Sequence, residues 1–373
     1  MFIRTLQAIL FTALVALHAT AAQDAKAEAK AKMSSLKASA AKLIHANAAK
    51  GATDSCQNHN LIVRKEWGDM SRAERLDYIR AVKCLHTRPP KTDPKLAPGC
   101  KNRYDDFVVA HIMNTYNVHF SPWLLSFHRV FVWEFEKALR KECGYKGGHP
   151  YWDWSRYVDQ PMETWPLFDG SDTSIGGNGH VTPNGGGCSC VTDGPFKDWT
   201  VNLGPVGDGA SCKDNPQDNG LGYNPRCLER KFDPSNLVNI TYDKVLVEVY
   251  SSNDINSFGL AIEGWPLGVH PIPHTLMGGL QDDIPASPAD CWFWQHHTNL
   301  DRYWLFWASL DWDNRWNALG TSDAYNAARQ ARQWQPAKPI SMNSRIHLSP
   351  AFPEYRVGDT FSPTGGPFCY VYE

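Results

Sequence analysis

The chain has 373 residues, 42% of them hydrophobic and 20% charged, the balance of a folded protein with room for a sizeable core rather than a disordered one. A formal charge of -2 lacks the basic footprint of a nucleic-acid binder, so nucleic acid is excluded as a partner and neutral small molecules are expected instead.

Residues 1–22 have the layout of a secretory signal: Arg4 as the positive end, an apolar stretch from Leu6 to Leu17, then the small residues Ala19-Thr20-Ala21-Ala22. The mature protein is therefore expected to be secreted. No later segment approaches the roughly eighteen uninterrupted apolar residues of a membrane span, so no membrane partner is expected. Residues 23–55 are rich in Ala and Lys, which favours helix but supplies few large apolar side chains; the stretch is either a peripheral helix or a removable propeptide. Residues 56–373 are left as the globular domain.

Within that domain, Ser71-Arg72-Ala73-Glu74 is a capping-box pattern that opens a helix toward Cys84. Residues 105–116 read as a second helix. Ser121-Pro122 predicts a third, with Ser as N-cap and Pro in the first helical position, running through an apolar and aromatic stretch to Leu139. Residues 161–223 are dense in Gly, Asn, Asp and Pro and predict long surface loops with little regular structure. Residues 243–250 suit a short helix or strand, 271–278 a short helix, and 290–310 a long aromatic one. The ten cysteines form an even set in a chain bound for an oxidising compartment, so up to five disulfides are expected. Cys188-Ser189-Cys190 is too closely spaced for a zinc site. Asn239-Ile240-Thr241 is a glycosylation sequon.

No phosphate loop, nucleophile elbow or His-Glu-x-x-His run is present, which leaves the histidines as the chemical signal. Seven of the 14 fall into two groups: His111, His119 and His128, then His270, His274, His296 and His297. His270 and His274 share one helical face, and Pro271 and Pro273 are tolerated because proline in a first turn gives up an N–H that has no helical partner. Imidazoles set among Phe131, Trp133, Trp292, Phe293, Trp294 and Trp304 would be poorly solvated and hence neutral, the form that binds a metal. With imidazole donors and no nearby Cys or Met, copper, zinc and iron all fit, while a blue-copper site does not. His59, His86, His149, His180 and His347 stand outside the groups and are read as ordinary hydrogen-bonded packing residues.

The run Tyr104-Asp105-Asp106-Phe107 to His111, then His119-Phe120-Ser121-Pro122-Trp123 to His128-Arg129, resembles the first copper region of tyrosinases and catechol oxidases. Glu263-Gly264-Trp265, His270, His274, Gly278-Gly279, Asp290 through Phe293, His296-His297 and Asp301-Arg302 resemble the second in order and spacing. Tyr370-Val371-Tyr372 is similar to the element that closes the family's catalytic domain, and the chain ends there, as in short fungal-type members that lack a C-terminal shielding domain. The resemblance implies a mainly α fold: a four-helix bundle around a dinuclear copper site, with long disulfide-linked loops. It implies two copper ions, one on His111, His119 and His128 and the other on His270, His274 and His297, with His296 as a neighbour that packs or orients a ligand. It also implies dioxygen and small phenols as partners: o-diphenols, with o-aminophenols and methoxyphenols as analogues, oxidised to o-quinones.

Two departures bear on activity. Many members link the second histidine of the first site to a Cys two positions earlier; here that position is Asn117, so no thioether is expected. Many monophenol-hydroxylating members carry an Asn after the first ligand of the second site, where with a Glu it orients a water. Here Pro271 stands there while Glu263, the expected catalytic residue, is present. Catechol oxidase is the leading reading. Full tyrosinase activity is the alternative, followed by a non-catalytic oxygen carrier of haemocyanin type and a zinc protein.

Overall fold

The computed structural model describes the chain except residues 1, 51–55, 57–58, 182–186, 208–210 and 265–267; in the first helix it describes the side chains of residues 20–46. The side chains of the expected signal's apolar stretch, and Trp265 of the second motif, lie outside what is described. Helix α1 spans Phe2–Lys50. Its Ala29, Met33, Leu36, Ala40 and Ile44 recur at helical spacing and are all buried, so this stretch carries a narrow apolar stripe. The stripe lies against α5 (Tyr242–Ser251) and α8 (Trp292–Ser309).

Helix α2 (Arg72–Leu85) opens with the predicted capping box, Ser71 and Glu74 each bonding the other's backbone. Helix α3 covers Arg103–Val118, begun by Asn102, whose side chain accepts from the Asp105 N–H. Helix α4 (Leu124–Cys143) starts later than Ser121-Pro122 predicts. Ser121 and Pro122 are spent on a turn in which Leu124 N–H bonds the Ser121 carbonyl, so the helix begins past the proline. Helix α6 (Ile255–Ile262) was not expected, although Asp254 and Ser257 make a capping box there. Helix α7 covers Pro271–Met277 with prolines in its first turn, as predicted. Two further helices, α9 (Trp312–Arg315) and α10 (Ser322–Gln330), lie in the tail.

The bundle of α3, α4, α7 and α8 is filled with rings: Phe135 stacks on Trp294 at 3.9 Å between centroids, and Phe107 meets both edge-on. One clasp fixes its lower side. The strand Ile62–Arg64 pairs in parallel with Tyr370–Tyr372, and the Cys56–Cys369 disulfide joins the same chain ends. Arg64 Nη2 lies 2.6 Å from Glu136 of α4, while Asp301 of α8 takes Arg129, Tyr370 and Tyr372 together. Breaking one partner of a buried pair costs about 3–5 kcal/mol, so this network holds α4 to α8 beside His128 and His297.

Among the described residues, the loops of 161–223 carry short ladders, Gly179–Val181 with Ser189–Val191 and Thr200–Val201 with Arg226–Cys227, plus one 3-10 turn at Met162–Thr164. Cys188–Cys212 and Cys190–Cys227 staple this region, and Cys84 pairs with Cys143. Four disulfides therefore form rather than five, since Cys100 and Cys291 are buried without a bond. Among the described residues no helix is long and apolar enough to cross a membrane.

Candidate metal centre

All seven clustered histidines are buried, at the centre of the bundle. His111 comes from α3, His119 from the residue that ends it, and His128 from the first turns of α4. His270 caps α7, His274 lies one turn on, and His296 and His297 sit in α8. The ring nitrogens of His111, His119 and His128 fall within 4.8 Å of one another, and so do those of His270, His274, His296 and His297. The two groups face each other: His128 stacks on His297 at 4.3 Å and His119 on His270 at 5.5 Å between centroids.

Backbone carbonyls choose the exposed nitrogen. A carbonyl only accepts, so the ring nitrogen that meets it must carry the proton, leaving the other with its lone pair free. His111 Nδ1 donates to the Pro285 carbonyl at 2.9 Å, His119 Nδ1 to Thr115 at 2.9 Å and His128 Nδ1 to Leu124 at 2.8 Å. Nε2 of His111, His128 and His270, Nδ1 of His296, and both ring nitrogens of His297 are buried without a hydrogen-bond partner. Buried polar atoms normally find partners, so convergent orphans of this kind fit a bound cation. His296 has the opposite tautomer, its Nε2 donating to the His270 carbonyl at 3.0 Å, and its ring lies against Trp154 and Trp292, whereas that of His297 stacks on His128. Burial pushes these groups down, reinforced by Arg329 at His119 and by neighbouring imidazoles at the others, His119 and His274 to about 4, so the rings are neutral at ordinary pH.

Glu263 is buried at the end of α6. One oxygen accepts the Phe120 N–H at 2.8 Å and lies 3.9 Å from His270 Nδ1; the other has no partner. Burial pushes this carboxyl up to about 8, and the imidazole is pushed down, so the two are not an ion pair. Phe120 reaches Glu263 through a left-handed backbone, φ 45°, a strained conformation for a bulky residue. Its ring is covered by Arg332 at 3.5 Å, and Arg329 of α10 bonds the carbonyls of Tyr116 and His119, a cation at the C-terminal end of α3.

A cleft of about 90 Å³ opens onto His119, His270 and His274, lined also by Glu263, Phe120, Pro271, Thr275, Ile284 and Trp334. Gln281, Asp282 and Ile284 also line it; among the described residues none of 161–223 contributes to its walls, and Trp334 comes from the chain after α10. A larger groove of about 530 Å³ runs beside Ile62 and Val63 and contains none of the clustered histidines, so size does not mark the site. Sequence reasoning missed Trp334, the Phe120 backbone and Gln281, whose amide meets His274. Their signal lies in tertiary contacts between distant segments. Of the isolated histidines, His149 is buried and hydrogen-bonded to Tyr78 and Thr298, whereas His59, His180 and His347 are exposed.

Comparison with known proteins gives the same reading. Residues 101–310 match the common central domain of tyrosinase. The chain is 35% identical over 333 residues to "Tyrosinase P" of Aspergillus terreus, covering 83% of this chain and 91% of the relative. It is 32% identical over 351 residues to the N-acetyl-6-hydroxytryptophan oxidase ivoB of Emericella nidulans, covering 85% and 94%. A variant polyphenol oxidase of Thermothelomyces thermophila has a structure that superposes with a TM-score of 0.81 at 36% identity, covering 93% of this chain and 98% of that one. With a matching central domain, fold and paired histidine clusters, the chain belongs to the tyrosinase family of dicopper oxidoreductases.

Proposed function

We propose that the protein is a secreted catechol oxidase, which uses dioxygen to convert o-diphenols to o-quinones. His111, His119 and His128 would hold one copper ion, and His270, His274 and His297 the other. The orphaned nitrogens of His111, His128, His270 and His297 support this set; His296, whose Nδ1 is also unpaired, is left out because its ring lies against Trp154 and Trp292, whereas His297 stacks on His128 of the other cluster. Copper bound there supplies electron transfer to dioxygen and a Lewis-acid hold on phenol oxygens. The protein supplies the rest. Phe120 and Trp334 give the cleft aromatic walls for a phenol ring, and Phe293, 4.0 Å from His297 and 5.2 Å from His111 between centroids, helps keep water from both clusters. The four disulfides support an oxidising destination, with residues 1–22 as the signal and 56–373 as the catalytic domain.

The choice of diphenols rests on one observation: Glu263 stands at the cleft held only by the backbone N–H groups of Phe120 and Ser121, and the residue that follows His270 is Pro271, which has no side chain to hydrogen-bond a water. A monophenol must lose a proton of pKa about 10 before its oxygen can serve as a strong ligand. Glu263 alone positions an acceptor loosely for that step. Oxygen uptake on a matched panel of catechols, aminophenols, methoxyphenols and monophenols tests the proposal. Catechols should react at once and tyrosine after a long lag or not at all. Hydroxylation of tyrosine as fast as catechol oxidation would make the protein a full tyrosinase, the reading favoured by the unpaired Glu263 oxygen and by the name of its Aspergillus terreus relative. Binding of oxygen with no turnover of any phenol would make it a carrier.

A further inference from the structure

His119 and His128 are steered from within the chain segment that carries them, each bonding the carbonyl four residues back. His111 and His274 are steered from outside, and by the same short turn. The Pro285 carbonyl takes His111 Nδ1 at 2.9 Å, and the Gln281 side-chain oxygen meets His274 Nδ1 at 2.8 Å. The Gln281 amide nitrogen in turn donates to the Ser287 carbonyl at 2.8 Å. That last bond fixes the chemistry. A carbonyl cannot donate, so the Gln281 nitrogen must face Ser287 and its oxygen must face the imidazole; His274 then carries its proton on Nδ1 and keeps Nε2 unprotonated.

Gln281 is 1% exposed and the turn is stiff, a 3-10 segment over Ile284–Ala289 containing Pro285 and Pro288, so the amide has little freedom to swing away. We propose that Gln281 is a positioning residue for the second metal cluster, setting the tautomer and aim of His274, and that the turn from Gln281 to Ser287 braces one imidazole in each cluster. The inference rests on the proposed assignment of His274 as a ligand. Partners of this kind typically change metal affinity by roughly 10–100-fold when removed.

The test uses the copper-loaded protein, chelator competition for its copper, and urea unfolding of the copper-free protein. Gln281→Met keeps the length and loses the hydrogen bonds; one copper per chain should become roughly 10–100-fold easier to remove while the other stays as in the wild type. Gln281→Glu, which still offers an oxygen to Nδ1–H, should restore retention even if urea stability falls. The inference is overturned if Gln281→Met holds both coppers as tightly as the wild type, or if Gln281→Glu releases copper as readily as Gln281→Met. Should the Met variant not fold, nitrogen NMR of histidine-labelled, copper-free wild type decides: a proton on Nδ1 of His274 supports the inference and a proton on Nε2 overturns it. A wild type that never holds two coppers would instead overturn the ligand assignment itself.

Discussion

An imidazole buried among aromatic rings gives up its proton before it meets a metal, and a single hydrogen bond then decides which nitrogen is offered. At His296 and His297 these two rules leave both residues with a free nitrogen, and what separates them is where each ring faces. His296 donates Nε2–H to the His270 carbonyl and lies against Trp154 and Trp292, while His297 stacks on His128 of the other cluster. His297→Ala should therefore lose one of two coppers by metal analysis, whereas His296→Ala should retain more of the metal because it removes support rather than a ligand. An emptied site in His296→Ala with two coppers in His297→Ala would reverse the assignment. Pro271 offers a second residue-scale test. Pro271→Asn places an amide beside Glu263 in the first turn of α7, where losing proline's fixed dihedral is cheap, and should raise the monophenol rate relative to the diphenol rate by about 10-fold or more. An unchanged ratio in the oxygen-uptake assay would remove the reason given for weak monophenol activity.

At the scale of elements, α4 and α8 carry His128 and His297, and their relative height is fixed by charge as well as by packing. Burial alone would raise Asp301; Arg129 and Arg64 outweigh it and hold the carboxyl below its usual range, with Tyr370 and Tyr372 donating to it as well. Asp301→Asn leaves the buried Arg129 without its carboxylate and Arg64 with Glu136 alone. The expected loss is about 3–5 kcal/mol in urea unfolding of the copper-free protein, and a loss under about 1 kcal/mol would show that the network is not holding the helices. Much of this level was legible in the sequence, because its signals are local: Ser71 and Glu74 marked the start of α2, and the prolines beside His270 marked that of α7. The histidine groups were legible for the same reason. What sequence patterns did not yield depends on segments that meet only in space. Phe120 is bent toward Glu263, 143 residues away, Trp334 reaches the cleft from the tail, and Ser121 gives way to a turn because the chain must leave His119 at the C-terminal end of α3. The stripe of α1 was hidden differently, since alanines at its buried positions carry almost no signal in a stretch made of alanine.

Over the whole molecule, the same burial that frees the histidines leaves carboxyls in poor surroundings, and this sets how stability follows pH. Glu248 of α5 is held up to about 8, first by burial, with the Val269 N–H as its one opposing donor and one oxygen unpaired. Glu66 and Asp105 are raised to about 7, again by burial first. Each has a folded pKa above its unfolded one, so the folded state holds the proton more tightly. Their contribution is fully present below about pH 4.5, where both states are protonated, and is lost as pH rises through the folded value, because the unfolded chain has released a proton that folding must take back. Glu142 and Asp301 have folded values below the usual range and act oppositely, contributing above about pH 4.5 and losing it as the solution becomes more acid. Glu248 is the group in which to isolate the first effect, since it touches none of the clustered histidines and its burial is not repaid by a cation. Glu248→Gln keeps the shape, cannot ionise, and still accepts from Val269. It should match the wild type at pH 4.5 and exceed it by about 2–3 kcal/mol at pH 8.5, measured by urea unfolding of the copper-free protein. A gain of equal size at both pH values would mean that the carboxyl's shape rather than its charge is what the fold resists, and no gain at pH 8.5 would mean that the group is solvated after all.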